Sequence, residues 1–162
     1  MPATYEPIAT TTLGSNTDIV SFTSISGSYT DIRAIITNTI TTAFSVTVRL
    51  NNDSGSNYSY SAMVGDGSTA TSSRASSQTE LQINAGDTAT INLLIVDFMN
   101  YSNTTTNKSV ISRASVPSDR ISLFSGLWRS TSAINRIDFR AQPGGYAFIS
   151  GSTFTLYGIK AA

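Results

Sequence analysis

Residues of like polarity recur at every second position through most of this chain. Phe44, Val46, Val48 and Leu50 alternate with Ser45, Thr47 and Arg49, the period of a strand with one packed and one wet face and not of a helix. Thr30 to Ile40 repeats the pattern, with Ile32, Ala34 and Ile36 on one side. Ile19 to Ile25, Ala89 to Met99, Lys108 to Val116, Ile121 to Trp128, Ile134 to Arg140 and Thr153 to Ile159 behave similarly. Turn formers separate these runs: Leu13-Gly14-Ser15-Asn16, Ser26-Gly27-Ser28, Asn51 to Asn57, Gly65-Asp66-Gly67-Ser68, Asn84-Ala85-Gly86-Asp87, Pro143-Gly144-Gly145 and Ser150-Gly151. Gly and Asn supply positive φ there, and Asp and Ser bond their own backbone. No segment sustains a helical period. Short strands and polar turns at this spacing predict an all-β fold, an antiparallel β-sandwich of jelly-roll type, with a barrel as second choice.

At 162 residues the chain has the size of one domain, and residues 1–162 are read as one sandwich without linker or repeat. Residues 1–13, made extended by Pro7 and β-branched side chains, read as an outer strand or as an arm reaching a neighbouring subunit. Two stretches read as long excursions: Gly65 to Gln78, which contains Arg74, and Asn100 to Asn107, which contains Asn100, Tyr101 and Asn103. Loops of that length in a compact domain are functional, pinned by a neighbour, or simply solvated. Both are candidate contact surfaces.

Charge narrows the partners. Ten basic and ten acidic residues give zero net charge and leave no basic footprint for nucleic acid or an anionic membrane. Charged residues are 12% of the chain, about half the usual share, and Ser and Thr fill close to a third of all positions. Seven Tyr, seven Phe and one Trp argue for order rather than disorder. The opening residues from Met1 to Pro7 lack a basic start and an apolar core, and Leu93-Leu94-Ile95-Val96 is too short to span a bilayer. Assembly in the cytoplasm is the expectation.

Chemistry is narrowed further by the absence of His and Cys. Without them the Ser-His-Asp and Cys-His nucleophilic sites and ordinary zinc sites are excluded, as are disulfides. Carboxylate pairs remain, as in glycosidases. Asp97 shares a register with Ile91, Leu93 and Ile95. Burial would raise its pKa unless an Arg partner or a strand end relieves it. Asp138 reads as an outward-facing strand residue. Asn51 to Asn57 faintly resembles a calcium loop, but the closing acid would fall at Ala62, so a hairpin turn is the better reading. Gly65-Asp66-Gly67-Ser68 lacks the Lys and helix of a phosphate loop and reads as a turn. No cofactor or metal is expected.

Aromatic side chains are the remaining candidates, because exposed Tyr and Trp stack on sugars and anchor interfaces. Tyr58 and Tyr60 share one strand face, and Trp128 sits beside Arg129 at a strand end. Core packing and surface contact both fit these positions.

The ending Gly151-Ser152-Thr153-Phe154-Thr155-Leu156-Tyr157-Gly158-Ile159-Lys160-Ala161-Ala162 resembles that of small virion proteins of tailed bacteriophages, notably marine and cyanobacterial ones. Tyr5 to Ser15, Asn57-Tyr58-Ser59-Tyr60, Asn100 to Thr105 and Gly126 to Thr131 extend the resemblance over nearly the whole chain. It implies a place in a phage particle, assembled in the host cytoplasm, and brings no catalytic residues. The expected role is a non-enzymatic capsid decoration or cement protein whose partners are the major capsid protein or tail and fibre proteins, with a homo-oligomer, such as a trimer, expected by analogy. Two alternatives stand beside it: a tail- or head-fibre tip that binds a host surface glycan, and a carboxylate-only glycan hydrolase.

Overall fold

The computed structural model describes residues 4–39, 45–86, 91–116, 119–142 and 144–160. Among them the chain forms twelve strands and no helix. Alternation predicts most of these strands directly: β2 (Ile19–Phe22), β3 (Asp31–Asn38), β4 (Ser45–Leu50), β8 (Asn92–Met99), β9 (Lys108–Val116), β10 (Arg120–Trp128), β11 (Ile137–Gln142) and β12 (Thr153–Ile159). Ile40, Phe44, Asp87, Ala89, Pro143, Ala161 and Ala162, named above at strand ends, in turns or in the C-terminal motif, lie outside the described residues, as do Met1, Pro2 and Ala3. β1 (Tyr5–Thr12) pairs with β12 of its own chain from Tyr5↔Ile159 to Thr12↔Thr153. Over that span the N-terminal segment is an outer strand and not a free arm.

The larger correction concerns Gly65 to Gln78. Instead of an excursion it holds the second strand of a hairpin, in which β5 (Tyr58–Gly65) turns at Asp66 into β6 (Ala70–Gln78). Asp66 Oδ1 accepts hydrogen bonds from the Ser68 and Thr69 amides at 2.9 and 2.7 Å, as the turn reading anticipates. A two-residue strand, β7 (Leu81–Gln82), completes the set.

All pairing is antiparallel. One sheet runs β1-β12-β3-β8-β9-β10-β5-β6 and the other β2-β11-β4-β7. With the β5–β6 and β9–β10 hairpins set aside, the remaining strands pair from the outside of the sequence inward: β1 with β12, β2 with β11, β3 with β8 and β4 with β7. That nesting is the jelly roll, a β-sandwich of two four-stranded sheets. The two hairpins then join each other through β5 and β10 and widen one sheet to eight strands.

The core lies between the sheets. Phe139 of β11 meets Phe98 of β8 at 6.5 Å and Phe154 of β12 at 5.8 Å between ring centroids, and all three rings are fully buried. Each such ring contributes about 1.5–3 kcal/mol through burial. Under the widened part of the large sheet, Gly126 leaves room for Leu81. A Cβ at Gly126 would stand 2.4 Å from the Leu81 Cδ1 atom.

The Asn51 to Asn57 turn is not a hairpin turn, because β4 and β5 belong to different sheets. It is the crossing between them. Asn51 and Asn52 adopt positive φ there, at 50° and 56°.

Candidate interaction surface

Strand β10 shows how the site arises. Its even-numbered residues Phe124, Gly126 and Trp128 face the core, so Ile121 and Leu123 stand on the opposite face. Antiparallel register sets neighbours beside them. Ile121 lies between Gly65 of β5 and Ser115 of β9, and Ser115 adjoins Leu93 of β8. Leu123 lies between Met63 and Arg113, and Arg113 adjoins Ile95. Ile121 is 67% and Met63 63% exposed. Leu93, Met99, Ile111 and Leu123 are also exposed, and apart from Tyr5 every exposed large apolar side chain among the described residues lies on or just before β5, β8, β9 or β10. A groove of about 570 Å³ runs among Met63, Ala70, Leu93, Ile95, Ile121 and Leu123. A contiguous apolar patch of this kind on a polar surface marks a contact face.

The outer face of the small sheet has the opposite character. Glu80 accepts from Thr47 Oγ1 and Arg49 Nη2 at 2.5 Å each and pairs with Arg140 at 2.9 Å. Asp138 does point to this outer face, but it is buried beneath its partners, accepting from Ser21 Oγ at 2.6 Å and Arg136 Nε at 2.9 Å. These groups pair with one another and make this face polar, although the Nε atoms of Arg49 and Arg140 are buried without a hydrogen-bond partner among the described residues.

Charge on the apolar face is basic. Asp97 is held by Arg33 at 2.5 and 3.1 Å and approached by Arg113 at 3.4 Å. The hydrogen bond to Asp97 also raises the Arg33 guanidinium above its ordinary pKa. Arg pairing, one of the two structural readings of Asp97, therefore holds. Each Asp97 oxygen already accepts from a guanidinium.

Of the two readings open for Tyr58 and Trp128, core packing holds and surface contact does not, and Tyr101 is no surface contact either. Tyr58, Tyr101 and Trp128 are interior, because the face they occupy is the one covered by the small sheet and its loops. Tyr58 stacks on Trp128 at 6.3 Å and 13°, and its hydroxyl accepts from the Leu50 amide at 3.0 Å. Burial pushes the Tyr58 phenol well above its usual range. Tyr101 donates its hydroxyl hydrogen to the Ser26 carbonyl. Tyr60 is half-buried and donates to Gln82 Oε1 at 2.7 Å.

The polar candidates divide. Asn100, at φ 51°, turns the chain after β8, and its amide donates to Asp31. Asn103 Oδ1 receives the Thr105 and Thr106 amides at 2.7 and 2.8 Å, so the 100–107 loop is ordered by its own side chains. Arg129 is exposed but donates to the Ser56 carbonyl and Ser59 Oγ. Of these, only Arg74, on β6 opposite Ser61 of β5, adjoins the apolar face.

The residues that sequence reasoning missed are Met63, Ile111, Ile121 and Leu123. For Ile121 and Leu123 the signal is present in the sequence: β10 carries apolar side chains at both parities, more than a one-sided strand needs. No protein-family model matches the chain, and no curated protein matches it.

Proposed function

We propose that the protein is a non-enzymatic structural subunit of a tailed-bacteriophage virion, assembled in the host cytoplasm and acting as a capsid decoration or cement protein. The observation that carries this reading is the apolar outer face of the eight-stranded sheet, widened by two hairpins beyond the jelly roll and left uncovered by the described residues. A cement subunit works by burying such a face against a neighbour, in this proposal the major capsid protein. The phage-like sequence stretches supply the context. The aromatic platform that a glycan-binding fibre tip would use is folded inward at Tyr58 and Trp128, which weighs for assembly over sugar recognition.

Labelled cryo-electron microscopy of intact particles tests the role. Hundreds of copies on the head are the expected result, whereas a few copies confined to the tail would overturn decoration in favour of a fibre position.

A further inference from the structure

Four strands form the edges of the two sheets, and three of them are blunted. β2 has four residues and β7 two. β1 carries Pro7, which lacks an amide hydrogen, and a register shift between Pro7 and Ala9. Short strands, Pro and bulges are the usual protections of an open edge. β6 has none of them over Ala70 to Ala75, where pairing with β5 runs in regular register. Alternate residues of that segment turn their amide and carbonyl groups away from β5, as a row of open donors and acceptors.

Two further observations say what fits there. Arg74, at the centre of β6, is the one basic side chain of the chain's ten that has no intramolecular partner among the described residues. It stands on the same face as Met63 and Leu123, as do Ser72 and Ala70. Ser72 and Ala70 are small, so side chains on an added strand could lean across them onto Met63 and into the apolar groove, which Ala70 and Thr71 help to line.

We infer that β6 is a strand-addition site for an extended segment of a different chain, one with apolar residues at alternate positions and a carboxylate opposite Arg74. A second copy is the poorer occupant. Twofold pairing of β6 centred on Arg74 sets two like charges opposite each other, and face-to-face stacking adds Arg113 of each copy to a face whose Asp97 is already engaged by two guanidiniums. The added strand would gain backbone hydrogen bonds along the edge and specificity from alternate side chains. The inference rests on the virion reading only for the origin of the partner.

The test uses the full chain and two fluorescein-labelled octapeptides followed by anisotropy, with Ser at every second position and Leu, Leu, Glu, Leu (the Leu/Glu peptide) or Leu, Leu, Lys, Leu (the Leu/Lys peptide) at the others, so that the charge shares the apolar face and stands opposite Arg74. The Leu/Glu peptide is expected to bind at least tenfold more tightly than Leu/Lys, and Arg74→Glu to reverse that order. Methylating alternate amides of the Leu/Glu peptide should weaken binding tenfold in one of the two phases only, the phase facing β6. Equal binding of both peptides, indifference to Arg74→Glu, or indifference to both methylation phases would overturn the proposal. So would a concentration-dependent dimer in sedimentation that Arg74→Glu dissociates or strengthens, because it gives β6 to a second copy. Binding of Arg74→Glu to purified phage particles with unchanged affinity would remove β6 from the assembly contact and leave the virion reading standing.

Discussion

The indole Nε1 of Trp128 donates a 2.7 Å hydrogen bond to Oδ2 of Asp53, joining the end of β10 to the turn that carries the chain from the small sheet to the large one. Asp53 also receives the Gly55 amide at 2.8 Å and the Asn57 side-chain amide at 2.9 Å. The oxygen-rich segment that faintly resembles a cation loop thus spends this carboxylate on the protein itself.

Partial burial pushes the Asp53 carboxyl up, but the bonds from Trp128, Asn57 and Gly55 together outweigh it and hold its pKa below the ordinary 3.8. A depressed carboxylate stabilises the fold fully above its unfolded pKa and loses that contribution as pH falls through the folded value. Asp53→Asn should therefore cost about 1.5–3 kcal/mol near neutrality, and the cost should shrink below pH 3.8. Urea unfolding of both proteins across about pH 3 to 7 reads this directly. A penalty independent of pH would assign the effect to shape rather than charge.

Tyr58 behaves in the opposite sense at high pH. Its phenol is raised by burial, so the folded state holds a proton that the unfolded chain releases. Stability should decline as pH rises past the ordinary tyrosine value of 10.0. Tyr58→Phe should flatten that decline while costing about 1 kcal/mol at neutral pH for the lost Leu50 hydrogen bond. Thermal unfolding followed from neutral to alkaline buffer makes the comparison.

Gly126 and Leu81 share one space. Gly126→Ala should destabilise by about 1–3 kcal/mol through overpacking, since Leu81 is 1% exposed and has nowhere to move. Leu81→Ala alone should cost about 2–5 kcal/mol through its cavity. Combined, the two should cost less than their sum by about 1 kcal/mol or more. Strict additivity in denaturant titrations would mean that the two side chains do not compete for space.

The apolar face should be separable from stability. Met63→Ser with Ile121→Ser removes the two most exposed large apolar side chains among the described residues, and the unfolding free energy should stay within about 0.5 kcal/mol per site. Binding of an anilinonaphthalene dye should fall, and so, on the proposed virion role, should occupancy on phage particles. A large loss of stability would show instead that these side chains pack into the fold.

Strands with one buried face were legible from the sequence, and β9 and β12 match their predicted limits residue for residue. β6 was not legible. Its Ala-Thr-Ser-Ser-Arg-Ala-Ser-Ser-Gln run has no buried residue on either side, so it carries no alternation, and only β5 makes it a strand. The aromatic part of the candidate surface was misplaced for a related reason. In Tyr58-Ser59-Tyr60 and Leu127-Trp128-Arg129, local pattern gives a face but not its direction, and whether that face meets water depends on the loop and strand laid across it. Tyr58 and Trp128 are buried by contacts from Leu50 and Asp53, distant in register and in one case in sequence.

Alternation and turn chemistry therefore determined from the sequence alone that the chain is all-β, with an antiparallel sandwich ahead of a barrel, and the lack of His and Cys excluded Ser-His-Asp, Cys-His and ordinary zinc sites. Tertiary structure decided which parity of each strand is interior, joined the β5–β6 and β9–β10 hairpins into one widened sheet, and left Met63, Ile121 and Leu123 beside an open edge. The physical reason is that a strand's period of two is a local property of its backbone. The neighbour that covers one of its faces is supplied by residues far away in the chain.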